Sequence, residues 1–201
     1  HKNIGKGLLE QVGIGCRINL DGLDSLNGST ALTGHGYMLY DGPHRSSHAA
    51  CLIESMNFPS IRLERGRYRQ VAEFKFVFDD LPNPEHGVTL STDPAKPAIS
   101  FSRHTAYVDK AIANVKAKFE SIFSVLPIES YEFSEILPSE GHILGATVMG
   151  HSAADSVVDR YQRSHDVSNL FVLGGGSFSA ISPANPSLTI AALALFSAHH
   201  V

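Results

Sequence analysis

The sequence predicts an α+β fold: antiparallel strands covered by one long helix. Three observations point there. Two segments alternate with a period near two, GIGCRINL (13–20) and VAEFKFVFDD (71–80). One long amphipathic helix runs from His104 to Leu126. Strands and helices follow one another without the βαβ rhythm of a doubly wound sheet.

Taken in chain order, residues 1–10 (HKNIGKGLLE) are punctuated by glycine and read as the end of an earlier element. GIGCRINL is the first clear strand. Residues 21–48 are rich in Gly, Ser, Asp and His and read as a long loop around one short apolar piece, GYMLY. ACLIESMNF (50–58) fits helix or strand equally. In VAEFKFVFDD the side chains of Val71, Phe74, Phe76 and Phe78 mark a half-buried strand. LPNPEHG (81–87) carries two prolines and reads as a turn, and VTLST and PAISFS follow as a hairpin pair around DPAKP. In the long helix, Val108, Ala111, Ile112, Val115, Phe119, Ile122, Phe123 and Leu126 make one apolar face. Thr105 is placed to cap its start and Pro127 to end it. A second helix from Pro186 to about His200 is apolar nearly all round, so it is expected to be buried.

Composition narrows the function classes. The chain has 201 residues, 43% of them apolar and 18% charged, as in an ordinary globular protein with a real core. The net charge is −4 and the Lys and Arg residues are scattered, which argues against a nucleic-acid or membrane surface. No run of ~18 apolar residues is present to span a bilayer, and no signal peptide is visible. The chain opens on His1 rather than Met, so its true N-terminus is expected elsewhere. Cys16 and Cys51 leave a disulfide open and the compartment undecided.

The chemistry concentrates in the run from His142 to Thr189. Proline suits the first turn of a helix, so Pro186 would open the second helix and Asn185 would sit at its N-cap. The unpaired first-turn amides and the positive end of the helix dipole then face whatever lies in front. Asn185 could serve as a cap alone, or could meet a ligand. His142 is followed by Gly145 and Gly150, which allow close backbone approach. A histidine can accept the hydroxyl proton of an alcohol while hydride leaves the same carbon. The plainer reading is a histidine satisfied by a backbone carbonyl at a domain seam.

The order of the motifs decides between these readings. HILGATVMG (142–150), SVVD (156–159), HDVSNLFV (165–172), the glycines at 174–176 and ANPSLTIAALAL (184–195) together resemble the C-terminal signature of the glucose–methanol–choline oxidoreductases. Upstream, NIGKGL (3–8) and LPNPEHGVTLS (81–91) resemble two further elements of that family more loosely. The resemblance implies FAD-dependent oxidation of a sugar or alcohol CH–OH group. By it, His142 is the general base, Asn185 the second active-site residue bonding the substrate hydroxyl, and hydride passes to flavin N5. A His/Asn pair is similar to that of cellobiose dehydrogenase, pyranose oxidases and bacterial sugar dehydrogenases rather than the His/His pair of glucose oxidase. Gly174 and Gly175 fall where the family backbone approaches FAD. Asn185, Pro186 and Ser187 would lie against the flavin ring, and SVVD and HDVSNLFV would be a strand pair returning to the FAD domain. The implied domains are an end of an FAD-domain element (1–10), a substrate-binding domain (11–140) and an active-site and FAD-contacting segment (141–201).

The chain departs from the family pattern in places. Ala146 stands where threonine is common, Val148 where arginine is frequent, and Ser179-Ala180 in place of Pro-Thr. Neither Gly5-Lys6-Gly7 nor Gly13-Ile14-Gly15 continues into the G-x-G-x-x-G of a dinucleotide site. The C-terminal segments would therefore complete a Rossmann-type FAD domain lying outside this chain, supplied by a missing N-terminal half or a companion chain. Alone the chain would be inactive. The alternative is a non-catalytic binding or regulatory module derived from such an enzyme.

Other motifs weigh less. His44 and His48 have metal-ligand spacing only if helical, and no nearby carboxylate or cysteine completes a site, so no metal is expected. His199-His200 suit the end of a helix. The glycine run lacks the Gly-Lys-Ser/Thr of a phosphate loop, and Ser177 lacks a G-x-S-x-G frame. Lys110, Lys116 and Lys118 read as the solvated face of the long helix.

Overall fold

The computed structural model describes residues 1–25, 33–57, 59–93 and 95–200. Part of the 21–48 stretch, Phe58 of ACLIESMNF and Pro94 of DPAKP lie outside the described residues. In chain order the elements are β1 (Lys6–Leu9), β2 (Val12–Leu20), β3 (His35–Leu39), β4 (Cys51–Ser55), β5 (Val71–Phe78), β6 (Gly87–Thr89), β7 (Ala98–Ser100), α1 (Ala106–Ile122), β8 (Ile128–Leu137), β9 (Leu144–Ala146) and α2 (Ser187–Ala198). Short 3-10 turns occupy Pro43–Ser46 and Gly175–Ser177. The fold is α+β with antiparallel sheets. Two compact units interleave along the chain: His1–Gln11, Asp80–Thr105 and Gly141–Val201 form one, Val12–Asp79 and Ala106–Glu140 the other.

The second unit is a five-stranded antiparallel sheet in the order β3-β4-β5-β2-β8, packed against α1. Alternation in β2 sends Val12, Ile14, Cys16, Ile18 and Leu20 to the core. Gly13, Gly15, Arg17 and Asn19 take the other face. Opposite β2, Phe74, Phe76 and Phe78 of β5 pair with Cys16, Ile14 and Val12, so both strands present apolar residues to the same side. From the helix come Val108, Ala111, Ile112, Val115 and Phe119, the face expected from their spacing. On the polar face, Arg17 meets Glu73 directly opposite at 2.8 Å, and Lys75 reaches Glu140 at 2.5 Å.

Some elements differ from expectation. The long helix stops at Ile122, short of Leu126, because the chain tightens into a turn closed by Leu126 N–H to Phe123 O at 2.9 Å. Thr105 gives its amide (2.8 Å) and its hydroxyl to the carboxylate of Asp80. Strand β8 is not legible in the sequence, because IESYEFSEIL is interrupted by Glu and Ser. It lies at the sheet edge, where charged side chains discourage pairing with a further strand. ACLIESMNF resolves as strand β4.

The two cysteines are free and buried. They stand on β2 and β4 with β5 between them, opposite Phe74 and Phe78 respectively, so no disulfide joins them. Burial pushes the Cys16 thiol up to about 12 and raises Cys51 as well. Unfolded thiols ionise near ~8.5, so between about 9 and about 12 the folded chain holds the extra protons. By linkage, stability present below that window is lost as pH rises through it. Denaturant midpoints should therefore fall from about pH 8 to about pH 10. Cys16→Ala should shrink the drop, and an identical drop in the variant would show that the thiol does not cause it.

The first unit contains a four-stranded antiparallel sheet, β7-β6-β1-β9. The hairpin is present: Val88 of β6 faces Ile99 of β7. A small core gathers Leu9, Leu144 and Ile181, with Phe178 and Ile190 against them. SVVD and HDVSNLFV, expected as a strand pair, make isolated bridges, Val158 to Met149 and to Ser164 and Phe171 to Arg163, and are joined by His165 N–H to Val157 O at 3.1 Å. The chain turns back there at Gln162, whose buried amide donates to Ser177 Oγ (2.7 Å) and accepts from Ser197 Oγ (3.0 Å). Helix α2 is not buried by the described residues. Leu188 is 83% exposed and Leu195 64%, and Ser197 is its one buried side chain. An apolar helix left this open marks a surface that binding can cover.

Candidate active site

Two glycines shape the site. Gly145 has φ +83°, and a Cβ there would lie 2.0 Å from the carbonyl oxygen of Gly7. Only glycine lets β9 come this close to β1, where Leu144 pairs with Leu9. The next residue, Ala146, keeps a left-handed φ of 71° without being glycine, and its carbonyl accepts from Gly5 N–H at 2.7 Å. Beyond β9, Thr147 N–H bonds Gly176 O (3.0 Å) and Met149 N–H bonds Ser177 O (2.8 Å). The histidine segment and the triglycine turn thus lie side by side. In that turn Gly174 has φ +107° and open space where a side chain would be. Gly175 is small for a different reason, since its Cβ would strike Leu144 Cδ2 at 2.6 Å.

His142 is half-buried just before β9. Its backbone N–H donates to Glu10 Oε1 at 3.1 Å, and the same oxygen accepts from Gln11 N–H at 2.8 Å. Its Nδ1 is 2.6 Å from Gln11 Oε1. Among the described residues nothing partners its Nε2. Gln11 is fully buried, and its Nε2 donates to Ser182 O (2.6 Å) and Ala184 O (3.0 Å). One side chain thereby connects His142 to the segment that runs into Asn185.

Asn185 is exposed. It is not the N-cap: α2 starts one residue later, with Pro186 at the cap position (φ −84°, ψ −10°) and no side-chain cap bond. The carbonyl of Pro186 accepts the first helical bond from Ile190 N–H at 2.9 Å. The helix shifts because proline's fixed φ serves the cap here as well as the first turn. The Asn185 amide is therefore not consumed by the helix, and the first-turn N–H groups from Ser187 on lack an internal partner.

The competing motifs resolve locally. His44 and His48 lie in and just after a 3-10 turn with ring centres 5.0 Å apart. His44 Nε2 contacts Leu39 O, and His48 Nδ1 contacts Ser47 Oγ. Burial, with His44, Lys118 and Lys110 nearby, holds His48 below the ordinary histidine range. Among the described residues no group of three His, Cys, Asp or Glu side chains is placed to hold a metal ion. His199 ends α2, and His200 stacks 5.0 Å from Tyr161. Lys110, Lys116 and Lys118 are exposed. Sequence reading passes over Glu10 and Gln11. The available signal is a polar pair inside an apolar run, LLEQVGIG (8–15), since buried polar groups need partners.

Residues 87–194 match the family model of GMC oxidoreductases. The chain is 30% identical to the fructose dehydrogenase large subunit of Gluconobacter japonicus over 165 residues, covering 78% of this chain and 30% of that protein. It is 33% identical to 2-methyl-1,2-propanediol dehydrogenase of Mycolicibacterium austroafricanum over 60% of this chain and 23% of that protein. Cholesterol oxidase of Mycobacterium tuberculosis is 40% identical over 58 residues, 29% of this chain and 10% of that protein. The chain thus spans less than a third of each curated relative. The crystal structure of pyridoxine 4-oxidase from Mesorbium loti shares the fold at a TM-score of 0.68 and 15% identity, over 99% of this chain and 44% of that one. With more than half of its length inside the family model and its whole fold shared, the chain belongs to the GMC oxidoreductase family.

Proposed function

We propose that this chain is the part of an FAD-dependent sugar or alcohol oxidoreductase that supplies the proton acceptor and the substrate-hydroxyl partner. The observation that carries the reading is the state of His142: its Nδ1 is engaged by Gln11, while its Nε2 has no partner among the described residues. Bound FAD would supply the hydride acceptor. Nε2 of His142 takes the hydroxyl proton of the substrate, and the Asn185 amide bonds the same oxygen and orients the carbon that loses hydride. The N-terminus of α2 favours negative charge in front of it. The residues present fit one wall of a flavin site: Asn185, Pro186 and Ser187 at the helix start, and Gly174 with open space at its α-carbon. They do not make a pyrophosphate site, which falls to the FAD-binding half in a companion chain or in the remainder of the protein. The exposed apolar residues of α2 offer a surface for that half to cover. The substrate-binding role we place on the second unit, Val12–Asp79 with Ala106–Glu140, and the cofactor-facing role on the first. Two of the curated relatives are named for the oxidation of a sugar and of a diol, which supports CH–OH donors.

The test uses the full-length flavoprotein that carries this chain. Its oxidised flavin should bleach anaerobically on addition of a sugar or diol. Asn185→Ala should slow that bleaching by ~10-fold or more, since one substrate hydrogen bond is lost. Flavin that stays oxidised across a panel of sugars, diols and simple alcohols would favour a non-catalytic module.

A further inference from the structure

We propose that Gln11 is a positioning residue that fixes the tautomer of His142 and ties the His142 and Asn185 segments together; the kinetic part of this rests on His142 being the base. The hydrogen bonds force the assignment. Ser182 O and Ala184 O are carbonyl oxygens and can only accept, so the side of the Gln11 amide facing them is its NH2 group, at 2.6 and 3.0 Å. Its carbonyl oxygen must then face His142 Nδ1, 2.6 Å away. A carbonyl can only accept, so Nδ1 carries the proton. In the neutral ring that leaves the lone pair on Nε2, the nitrogen without a partner among the described residues. Uptake of a second proton at Nε2 breaks none of these bonds, because Nδ1 remains a donor.

Gln11 is suited to this in three ways. It is fully buried, so water does not compete for its amide. It is neutral, so it orients the ring without placing a second charge beside it. Its backbone is held too, since Gln11 N–H and His142 N–H share Glu10 Oε1 at 2.8 and 3.1 Å. A side chain with only acceptors could satisfy Nδ1 but would oppose the two carbonyls. A side chain with only donors could hold the carbonyls but not the ring. Glutamine serves both segments at once.

The direct test is nitrogen NMR of the FAD-loaded full-length enzyme labelled with 15N-histidine, with the His142 signals identified by their loss in His142→Ala. The expected wild-type result is a protonated Nδ1 and a bare Nε2 in the neutral ring. A protonated Nε2 would overturn the proposal whatever the variants do. Gln11→Met should mix the tautomers and slow anaerobic flavin reduction by ~10- to 10²-fold, with flavin content kept. Gln11→Glu retains an acceptor for Nδ1, so it should keep the tautomer, move the acid limb of the pH–rate profile upward and still slow reduction through the lost tether. Wild-type tautomer and rate in both variants would overturn the proposal. Should Gln11→Met fail to bind flavin, the wild-type tautomer and Gln11→Glu decide. An unchanged rate in His142→Ala would remove the base role alone and leave the tautomer assignment standing.

Discussion

His142→Ala in the full-length flavoenzyme is expected to lower kcat/KM by at least ~10² near neutral pH. Hydride cannot leave a carbinol carbon readily while its oxygen keeps the proton, because the positive charge that builds on carbon must be offset by an oxygen becoming a carbonyl. In the proposed function His142 takes that proton. Its Nδ1 is committed to Gln11 at 2.6 Å and its backbone N–H is held by Glu10, so two fixed bonds orient the ring, and Nε2 has no partner among the described residues. Alanine removes the acceptor and leaves Gln11 Oε1 to find another donor, while the tethers from Gln11 to Ser182 and Ala184 remain. The loss should therefore lie in the proton step more than in substrate binding, with kcat falling and KM moving little. It should also shrink as pH rises, since solvent hydroxide replaces the missing base. Steady-state rates of wild type and variant over a pH series check this; a loss of the same size at every pH would assign His142 a purely structural role.

Phe119→Ala is expected to cost ~3–5 kcal/mol of stability, a large part of the ~5–15 kcal/mol that holds a typical domain folded. The ring is wholly buried on α1, with Tyr131 at 4.2 Å, Phe123 at 4.9 Å and Phe133 at 5.2 Å between ring centres. It is the point where helix and sheet interlock, and its neighbours are rings whose edges cannot collapse into the space left behind. Thermal or denaturant unfolding measures the change. Leu90→Ala, at a side chain 90% exposed, is the control and should stay within ~0.5 kcal/mol. Equal effects at the two positions would mean that the α1–sheet core does not limit stability.

The parts of the fold legible in the sequence are those whose pattern is set by their own burial. β2 and β5 each bury alternate residues against α1, and α1 buries a single stripe, so period two and period 3.6 appear directly. β8 is hidden because it is an edge strand, with Ile128 and Phe133 half-buried and its other residues exposed. β9 is three residues long, too short for any period to show. Helix α2 is visible as a helix, but its surroundings are not: an all-apolar helix normally implies a core, and here Leu188 and Leu195 face outward. The cysteines illustrate the same limit, since only the strand order shows that β5 separates them.

At the candidate site, His142 and Asn185 are singled out by motif order, which registers chemistry rather than geometry. The N-cap expectation misses by one residue because proline's fixed φ suits both the cap and the first turn. Gln11 is silent in the sequence for a physical reason: its partners are two backbone carbonyls and a ring nitrogen more than 130 residues away, |i−j| being 131 for His142. No local pattern encodes such bonds. What the sequence does carry is the oddity of Glu10-Gln11 within an apolar run, which becomes meaningful once burial is known.

The most direct measurement is anaerobic rapid mixing of the FAD-loaded full-length enzyme with an excess of a sugar or diol substrate, following flavin bleaching in a single turnover. This isolates the step in which His142 is proposed to act from reoxidation and product release. Reduction slower by at least ~10² in His142→Ala than in wild type, at matched flavin content and neutral pH, is the expected result. Equal rates in the two proteins would contradict His142 as the proton acceptor.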